Sequence, residues 1–456
     1  MISDFHGVRV TVMGLGRFEG GVGVTRWLAR RGARVLVTDQ EPAEKLAGSV
    51  QQIADLPVEL RLGGHEERDF READLIVVNP AVPPTSPFLQ AAAAAGVPVT
   101  TEINLFVERC RAQTVGITGS VGKSTTTAMI AHALERTFSG RRVWVGGNLG
   151  KSLLDSLDRI AAEDVVVLEL SSFQLERTPA VRWSPNIAVV TNITPNHLDW
   201  HGGFAAYAAA KLNIVRYQDP ARDAIIIHDS PELRGYFDQL FGDVAGIWRY
   251  SLDGDTPVAR RQSTPAVDCD DQRLAWPDLQ LITPGRHNRE NAAAALSVAH
   301  VLGVDAPAAA AALADFAGLE HRLQRVCVRA GVAYYNDSKS TTPESAITAI
   351  NAIDAPLLLI LGGYDKGSDL TPVARLAAAR ARFSACLGKT GPGLRDTIVA
   401  SGGAAELFET FEDAVRACRS RARSGDAVLL SPACASWGMF EDFRRRGELF
   451  CRLVTA

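Results

Sequence analysis

The segment GITGSVGKSTTT, residues 116–127, constrains the fold of this chain more than any other stretch. A β-branched run leads into glycines, Lys123 and a row of hydroxyl residues, which is the strand-loop-helix pattern of phosphate-binding loops. N–H groups at the helix start can hold phosphate oxygens, Lys123 can neutralise the β and γ phosphates, and Ser124 can bind magnesium. The strict G-x-x-x-x-G-K-[ST] spacing is not met, because Ile117 occupies the first glycine position. A plain glycine-rich turn, however, does not explain the hydroxyl row. We predict a nucleoside triphosphate site formed by Gly119, Ser120, Val121, Gly122, Lys123, Ser124 and Thr125.

Short β-branched runs alternate with alanine-rich or amphipathic stretches along most of the chain, which predicts βαβ units and parallel sheets. The pattern restarts near Gln113 and again near Leu319, and 456 residues are too many for one hydrophobic core. We therefore predict an α/β fold with three domains. Their predicted boundaries are residues 1–111, 112–318 and 319–456. Residues from about Asp229 to Leu281, with Trp residues and Asp-Gly turns, are expected to form short strands and loops, not further βαβ units.

Composition and charge exclude several classes of protein. A net charge of −4 provides no field that would gather nucleic acid, and the arginine runs Arg30–Arg31 and Arg444–Arg446 are expected to be solvated helix faces. Seven cysteines without C-x-x-C spacing suggest neither a disulfide framework nor a zinc site. No apolar run reaches the ~18 residues that span a bilayer. We expect a cytoplasmic protein that binds neither membrane nor nucleic acid.

Two further side chains follow predicted strands of the second region and suit phosphoryl transfer with a divalent cation. Glu169 ends the apolar run VVVLE, where an unpaired carboxylate would be costly, so a metal ion or a basic partner must compensate. His197 lies in the loop after the strand NIAVV. Taken singly, Glu169 is equally well explained by a buried ion pair. A lone histidine is more often structural than a ligand, but the position of His197 after a strand of the same sheet favours a ligand. Lys211, on a helix shortly afterwards, is by itself a surface lysine.

The chain contains, in this order, GITGSVGKSTTT, GGNLG, ELSSFQLE, TNITPNHLDWHG, AAKLNIV, PGRHNRENAAAAL, HRLQ, NDSKST, LGGYDKG and SPACASWGMFEDFRRRGELF. These segments resemble the Mur ligases over nearly all of the chain, and ELSSFQ, NDSK and SPACAS favour the branch that adds D-glutamate. The resemblance implies an ATP-dependent ligase of peptidoglycan and cell-wall synthesis, and hence of cell shape and division. It would join D-glutamate to UDP-N-acetylmuramoyl-L-alanine through an acyl phosphate.

The resemblance also implies the domain types and the roles of individual residues. A Rossmann-like domain would bind the UDP-linked substrate, a central P-loop ATPase-like domain would bind ATP, and a C-terminal Rossmann-like domain would bind the amino acid. The catalytic residues would be Lys123, Glu169, His197 and Lys211. Two magnesium ions would be held by Ser124, Glu169, His197 and Lys211, the last as a carbamate formed with carbon dioxide. ATP would also contact Asn288, Asn291, Arg322 and Asp337. The other substrates would contact Gly16, Asp39, Asn148, Lys339, Lys366, Ser436 and Phe443. The enzyme would bind small molecules and act as a monomer.

The first domain departs most from the family pattern. After Gly16 the chain reads RFEGGVGVT, which is longer than the usual glycine-rich turn, and Glu41 stands where a basic residue is common. A carboxylate beside a diphosphate would be unfavourable unless it turned away. Prolines follow the strand LIVVN, from Pro80 to Pro87, where parallel sheets place their ligand-facing loops. How uracil is recognised is left open by these residues.

Four other functions share features with parts of the sequence. A nicotinamide-dependent oxidoreductase is suggested by Gly14-Leu15-Gly16 followed by Asp39, but Glu19 occupies the third glycine position of G-x-G-x-x-G. A non-catalytic nucleotide-binding scaffold would be expected to lack Lys123, Glu169 or His197, and none is missing. Within the enzymes, the alternatives are a sister ligase for another amino acid and a folate polyglutamate ligase.

Overall fold

Three sheets organise the chain, as seen in a computed structural model that describes residues 2–16, 19–241, 246–261, 272–277 and 279–456. The chain divides into two compact units. Unit 1 comprises Met1–Pro277 and Asn291–Ala309, and unit 2 comprises Asp278–Glu290 and Ala310–Ala456. Arg17 and Phe18, in the long glycine-rich turn, lie outside the described residues.

The first sheet belongs to unit 1 and is entirely parallel, in the order β3-β2-β1-β4-β5. Its strands are β1 (Arg9–Met13), β2 (Arg34–Asp39), β3 (Val58–Leu62), β4 (Leu75–Val78) and β5 (Val99–Thr100). Its helices are α1 (Glu19–Arg30), α2 (Ala47–Gln51), α3 (Arg68–Arg71), α4 (Pro87–Ala94) and α5 (Glu102–Val107), with a 3₁₀ turn at Ala43–Leu46. Strand β4 is buried along its whole length, as expected of a strand covered on both faces.

The second sheet is also in unit 1 and has the order β13-β12-β11-β10-β9-β6-β8-β7. Its strands are β6 (Gln113–Thr118), β7 (Val143–Gly147), β8 (Val165–Glu169), β9 (Ile187–Val190), β10 (Ala224–His228), β11 (Ile247–Asp253), β12 (Thr256–Arg261) and β13 (Gln272–Ala275). The helices that follow them are α6 (Lys123–Thr137), α7 (Ser172–Leu175), α8 (Leu198–His201), α9 (Phe204–Leu212), α10 (Pro231–Phe241), α11 (Arg286–Val301) and α12 (Ala306–Leu313). The first residues of α11 and the last residues of α12 belong to unit 2. Two 3₁₀ turns occur at Leu154–Arg159 and Thr178–Val181.

The segment from Asp229 to Leu281 differs in part from the prediction. Strand β11 pairs in parallel with β10 across helix α10, which makes one further βαβ unit, and only β12 and β13 form the expected antiparallel strands. The prediction missed α10, whose two fully buried side chains, Leu233 and Phe237, are spaced by one helical turn. The stretches 242–245 and 262–271 and residue 278 lie outside the described residues.

The third sheet forms the centre of unit 2, in the order β14-β15-β19-β16-β17-β18 with only the β14–β15 pair antiparallel. Its strands are β14 (Gln324–Arg329), β15 (Val332–Asn336), β16 (Leu357–Gly362), β17 (Ala381–Leu387), β18 (Ala405–Phe408) and β19 (Ala427–Leu430). Its helices are α13 (Pro343–Asn351), α14 (Thr371–Arg380), α15 (Gly391–Ala400), α16 (Phe411–Arg421) and α17 (Phe443–Thr455). Thr342 caps α13 and Pro343 occupies its first position, as the sequence predicts.

One hydrophobic core joins the first and second sheets. Trp27 of α1 and Phe106 of α5 belong to the same buried cluster as Leu168 of β8 and Val190 of β9. The predicted boundary after residue 111 lies between α5 and β6, where one sheet ends and the next begins. We keep the three-domain division at residues 111 and 318 as a proposal.

Candidate active site

The phosphate loop connects β6 to α6, and its glycines are required by its backbone. Gly119 has a φ of +150° and Gly122 a φ of +86°. A Cβ atom on Gly119 would lie 1.9 Å from Oγ1 of Thr191, so no other residue fits there. The side-chain Oδ1 of Asn192 accepts hydrogen bonds from the backbone N–H groups of Ser120 and Val121.

The first turn of α6 supplies the donors that remain for phosphate oxygens. The N–H groups at the start of a helix have no acceptor within the helix, and the positive end of the helix dipole lies there. In this loop these are the N–H groups from Lys123 onward, because those of Ser120 and Val121 bind Asn192. The ammonium of Lys123 donates to the carbonyls of Gly119 and Ser120, at 2.8 and 3.0 Å, and so lies at the same loop.

Glu169 ends β8 beside the phosphate loop, since it pairs with Ile117 of β6. Its side chain is 2% exposed. One carboxylate oxygen, Oε1, accepts a hydrogen bond of 2.9 Å from Nδ2 of Asn148, and the two residues are also joined through their backbones. The second oxygen, Oε2, is buried without a hydrogen-bond partner. A buried, half-satisfied carboxylate is costly unless a cation compensates it.

Lys211 lies on α9 and reaches the same loop from another side. Its Nζ donates to the carbonyl of Gly119 at 2.7 Å and lies 4.7 Å from the centre of the Tyr207 ring. The side chain is 2% exposed. Burial, together with the nearby charge of Lys123, lowers the pKa of Lys211 to about 7, although Glu169 acts in the opposite direction. A substantial fraction of this lysine is therefore a neutral amine near pH 7.

His197 precedes α8 in a left-handed conformation, with a φ of +50°. Its ring centre is 4.9 Å from that of Phe173. Partial burial lowers the pKa of the imidazole, Asp199 opposes this, and the charges of Lys211 and Lys123 add to the lowering. A neutral imidazole is the form that binds metal ions.

The donors of this region fit one hard divalent cation. The described residues contain no group of three or more His, Cys, Asp and Glu side chains placed to hold a metal ion. The unpaired Oε2 of Glu169 is nevertheless the kind of ligand that magnesium prefers, and Ser124 places a hydroxyl in the first turn of the neighbouring helix α6. A second cation would meet the ammonium of Lys211, so it requires that this lysine be neutral or converted to an anion.

The residues expected to bind the adenosine part are distributed over both units. In unit 1, Oδ1 of Asn291 accepts a hydrogen bond from Oγ1 of Thr126, and it would lie 2.9 Å from a Cβ placed on Gly122. Asn291 therefore packs against the phosphate loop. In unit 2, Nδ2 of Asn288 donates to the carbonyl of Pro284 at 2.7 Å, and Nε of Arg322 is buried without a hydrogen-bond partner.

Asp337 follows β15 and organises the loop that carries it. Its carboxylate accepts hydrogen bonds from the N–H of Leu323 and from the hydroxyls of Ser340 and Ser431. Burial raises the pKa of Asp337 to about 6, which these bonds partly counteract. The side chain thus ties its own loop to the segments that carry Leu323 and Ser431. This structural role is additional to the contact with ATP that was predicted for Asp337.

The residues expected to bind D-glutamate lie on loops after β15, β16 and β19 and at the start of α17. Nζ of Lys366 lies 4.9 Å from the ring centre of Trp437, next to the buried Ser436. Nζ of Lys339 lies 5.8 Å from the ring of Phe443, the first residue of α17. Since carboxyl ends of parallel strands meet at one edge of a sheet, unit 2 collects ammonium and hydroxyl groups there.

Arg446 corrects the prediction that the run Arg444–Arg446 is a solvated helix face. It is 2% exposed, and its guanidinium donates to the hydroxyl and carbonyl of Ser338 and to the carbonyl of Cys434. Burial lowers its pKa to about 10. Arg446 thereby ties the loop after β15 to the loop after β19. The spacing of α17 signalled this, because Arg446, Phe450 and Val454 recur at four-residue intervals and are all buried.

In the first domain, Asp39 shapes the turn that was predicted to face the UDP group. Its Oδ2 accepts a hydrogen bond of 3.0 Å from the N–H of Gly16, and its Oδ1 accepts one from Glu41. The carboxylate of Glu41 forms an ion pair of 2.7 Å with Lys45. The ion pair with Lys45 reduces the repulsion that the carboxylate of Glu41 would exert on a diphosphate bound at this turn.

None of the helices in the described part of the chain combines the length and apolar character that a membrane crossing requires.

Known protein families match this chain in three successive segments. Three family models match: the MurD-like N-terminal domain of Mur ligases at residues 8–101, the Mur ligase middle domain at 117–299, and the Mur ligase glutamate ligase domain at 321–434. Two curated relatives are both named UDP-N-acetylmuramoylalanine--D-glutamate ligase. The relative from Symbiobacterium thermophilum is 38% identical and that from Roseiflexus sp. is 39% identical, and in both matches 98% of each chain is covered.

Solved structures show the same fold at lower identity. The UDP-N-acetylmuramate-alanine ligase MurC from Thermotoga maritima is 19% identical with a TM-score of 0.60, covering 98% of this chain and 99% of that one. MurF ligase from the same organism, in complex with ADP, is 16% identical with a TM-score of 0.52, covering 99% and 96%. With three family models along its length and relatives above 30% identity over nearly all of it, the chain belongs to the Mur ligase family.

Proposed function

We propose that the chain is an ATP-dependent ligase that joins D-glutamate to UDP-N-acetylmuramoyl-L-alanine in peptidoglycan biosynthesis. Curated relatives that match nearly the whole chain carry the name of this activity, and an ADP complex of a family member indicates the nucleotide. The observation in the structure that carries the proposal is the convergence on the carbonyl of Gly119. Lys123 and Lys211 both bind this oxygen, and Glu169 ends the neighbouring strand.

The chemistry explains why a triphosphate site is needed. A carboxylate is a poor electrophile, because its leaving group would be an oxide. In the proposed reaction an oxygen of the alanyl carboxylate attacks the γ-phosphorus of ATP, the bond to the bridging oxygen breaks, and ADP leaves. The amine of D-glutamate then attacks the carbonyl carbon of the acyl phosphate, loses a proton and expels inorganic phosphate. One amide bond forms as one ATP is converted to ADP and phosphate.

The phosphate loop and Lys123 would hold the transferring phosphate. Negative charge on its oxygens is stabilised by preorganised donors, here the first N–H groups of α6 and the ammonium of Lys123. In the structure this ammonium binds carbonyls of its own loop, 2.8 Å from Gly119 and 3.0 Å from Ser120, which keeps it at the loop that would hold the phosphate.

We propose that Ser124 and Glu169 hold one magnesium ion, and that His197 and Lys211 serve a second. Bound magnesium neutralises phosphate charge during transfer. The pKa of about 7 gives Lys211 a neutral amine that can add to carbon dioxide, releasing a proton and forming an anionic carbamate. This conversion replaces a cation beside Glu169 and His197 by a carboxylate-like ligand, which removes the repulsion toward a second cation.

The remaining residues are proposed to bind the three substrates. ATP would be contacted by Asn288 and Asn291 at adenine and by Arg322 and Asp337 at ribose and phosphates. The UDP-linked acceptor would contact Gly16, Asp39 and Asn148, and D-glutamate would contact Lys339, Lys366, Ser436 and Phe443. The ammonium groups and the hydroxyl suit the carboxylates of glutamate. Since UDP-sugars and ATP are cytoplasmic compounds, we place the enzyme in the cytoplasm, acting as a monomer.

The experiment that tests this function is a phosphate-release assay with a panel of amino acids. Purified protein, ATP and magnesium are combined with UDP-N-acetylmuramoyl-L-alanine and one amino acid at a time. We expect release only when both the acceptor and D-glutamate are present, with the ligated product identified by mass. Equal turnover with L-alanine or with a diamino acid would assign the chain to a sister activity. Calorimetry at saturating magnesium that detects no ATP binding would overturn the proposal.

A further inference from the structure

The loop of residues 79–84, which we call the acceptor loop, begins at the point in the first sheet where a ligand is expected. The order β3-β2-β1-β4-β5 places the change of winding direction between β1 and β4. Open parallel sheets bind ligands at the carboxyl ends of the two strands that flank such a point. Asn79 follows β4 directly, its N–H donates to the carbonyl of Met13, and a Cβ on Gly14 would lie 2.8 Å from its side chain.

Two side chains from connections of the second sheet, Trp200 on α8 and Arg177 after α7, hold the acceptor loop by its carbonyl oxygens. The indole N–H of Trp200 donates to the carbonyl of Ala81 at 2.9 Å. The guanidinium of Arg177 donates to the carbonyl of Val82 at 3.0 Å. Consecutive carbonyls of a ligand-facing loop are thus fixed by groups about a hundred residues further along the chain, so the position of the loop depends on the second domain.

Trp200 also contacts the residues that surround His197. Its ring centre lies 4.8 Å from Phe173 and 4.6 Å from His201. Phe173 in turn lies 4.9 Å from His197. The indole of Trp200 therefore contacts the acceptor loop through its N–H group. Its ring contacts the aromatic side chains beside His197. Helix α8 and the residue before it therefore carry both the proposed metal ligand, His197, and the side chain that binds the acceptor loop, Trp200.

We propose that Trp200 is a positioning residue for the acceptor, setting the distance between the acceptor loop and the His197 side of the ATP site. This inference rests on the proposed function. The acceptor is long, with its nucleotide at the first sheet and its reacting carboxylate at the phosphate loop, so a displacement of the acceptor loop moves the carboxylate relative to ATP. Misplacement of a reacting group by about 1 Å is enough to lower the rate strongly.

The test compares Trp200→Phe with Trp144→Phe as a matched control. Both substitutions keep an aromatic ring and remove one indole hydrogen bond, since Trp144 donates to Asp164 at the same 2.9 Å. Trp144 is at the opposite, amino-terminal edge of the second sheet, away from the phosphate loop. A third variant, Trp200→His, retains a ring N–H donor at this position. Steady-state phosphate release is measured while the acceptor, ATP and D-glutamate are varied in turn.

We expect Trp200→Phe to raise the KM for the acceptor about three- to tenfold, the effect of one lost hydrogen bond, and to lower kcat because the reacting carboxylate is displaced, with the KM for ATP unchanged. Trp200→His should recover part of the loss, and Trp144→Phe should leave the acceptor KM as in the unmodified protein. An unchanged acceptor KM in both Trp200 variants would overturn the inference. So would an equal rise in the KM for ATP, which indicates a general disturbance of the site. If the unmodified protein itself shows no acceptor-dependent release, the proposed function fails instead.

Discussion

The buried Lys211 makes a prediction that links stability, pH and function. In the unfolded chain this lysine has its ordinary pKa of 10.5, and in the folded protein the pKa is about 7. Between these values the unfolded state binds the proton and the folded state does not, so the free energy of unfolding rises with pH from about 7 to about 10.5. Replacing the lysine by methionine removes this dependence.

The magnitude follows from the size of the pKa difference. At 1.36 kcal/mol for each pKa unit, the burial of Lys211 lowers the free energy of unfolding by about 4 kcal/mol at pH 7 and by about 2 kcal/mol at pH 9, where the cost is that of deprotonating the lysine on folding. Lys211→Met loses the hydrogen bond to the carbonyl of Gly119, which contributes about 1 kcal/mol. The variant should therefore be more stable than the unmodified protein at pH 7. The difference in unfolding free energy between the two proteins should become about 2 kcal/mol smaller when the pH is raised from 7 to 9. It should also lack ligase activity.

The assay is equilibrium unfolding in denaturant at several pH values from 7 to 9, in buffers freed of carbon dioxide. The exposed Lys151, replaced by methionine, provides the control, and its difference from the unmodified protein should stay constant across the range. Adding bicarbonate should stabilise the unmodified protein and leave Lys211→Met unchanged, because only the former has the buried amine at position 211 that is neutral near pH 7. A stability difference for Lys211→Met that does not vary with pH would refute the reasoning.

Three further substitutions test other parts of the site. Glu169→Gln should reduce phosphate release more than about a hundredfold at saturating magnesium, since the metal contributes several kcal/mol to phosphoryl transfer. In a thermal melt this variant should be at least as stable as the unmodified protein, because Oε2 of Glu169 is buried without a hydrogen-bond partner. Gly119→Ala should destabilise the protein by about 2 kcal/mol or more and abolish ATP binding in calorimetry, because the added Cβ would meet Thr191. Asp337→Asn should abolish a dependence of stability on pH. Because the pKa of Asp337 is about 6 in the folded protein, the unmodified protein loses about 2 to 3 kcal/mol of unfolding free energy as the pH rises from 4 to 6. Denaturant titrations at several pH values should show this loss in the unmodified protein and not in the variant. Equal pH profiles for the two proteins would contradict this.

Several features of the fold were accessible from local pattern alone. The buried run VVVLE predicted a central strand, and Thr342 with Pro343 predicted the start of α13. Helix α10 was missed because its apolar spacing is short and lies among turn signals. The burial of Arg446 was missed because a run of arginines is normally solvated, although the four-residue spacing of Arg446, Phe450 and Val454 places it on the buried face of α17.

The sequence by itself determined the phosphate loop, because glycines, lysine and hydroxyls at a strand-to-helix junction are a local arrangement that the chain forms wherever it folds. It also determined family membership, through motifs spread along the whole chain. Only the tertiary structure decided that Lys211, 92 residues from Gly119, donates to the carbonyl of that glycine, and that Trp200 binds the acceptor loop 119 residues before it. Such contacts depend on which strands are neighbours in a sheet, and burial then sets the pKa of Lys211. Strand order, and with it the set of elements that surround Lys211, does not follow from the spacing of residues along the chain.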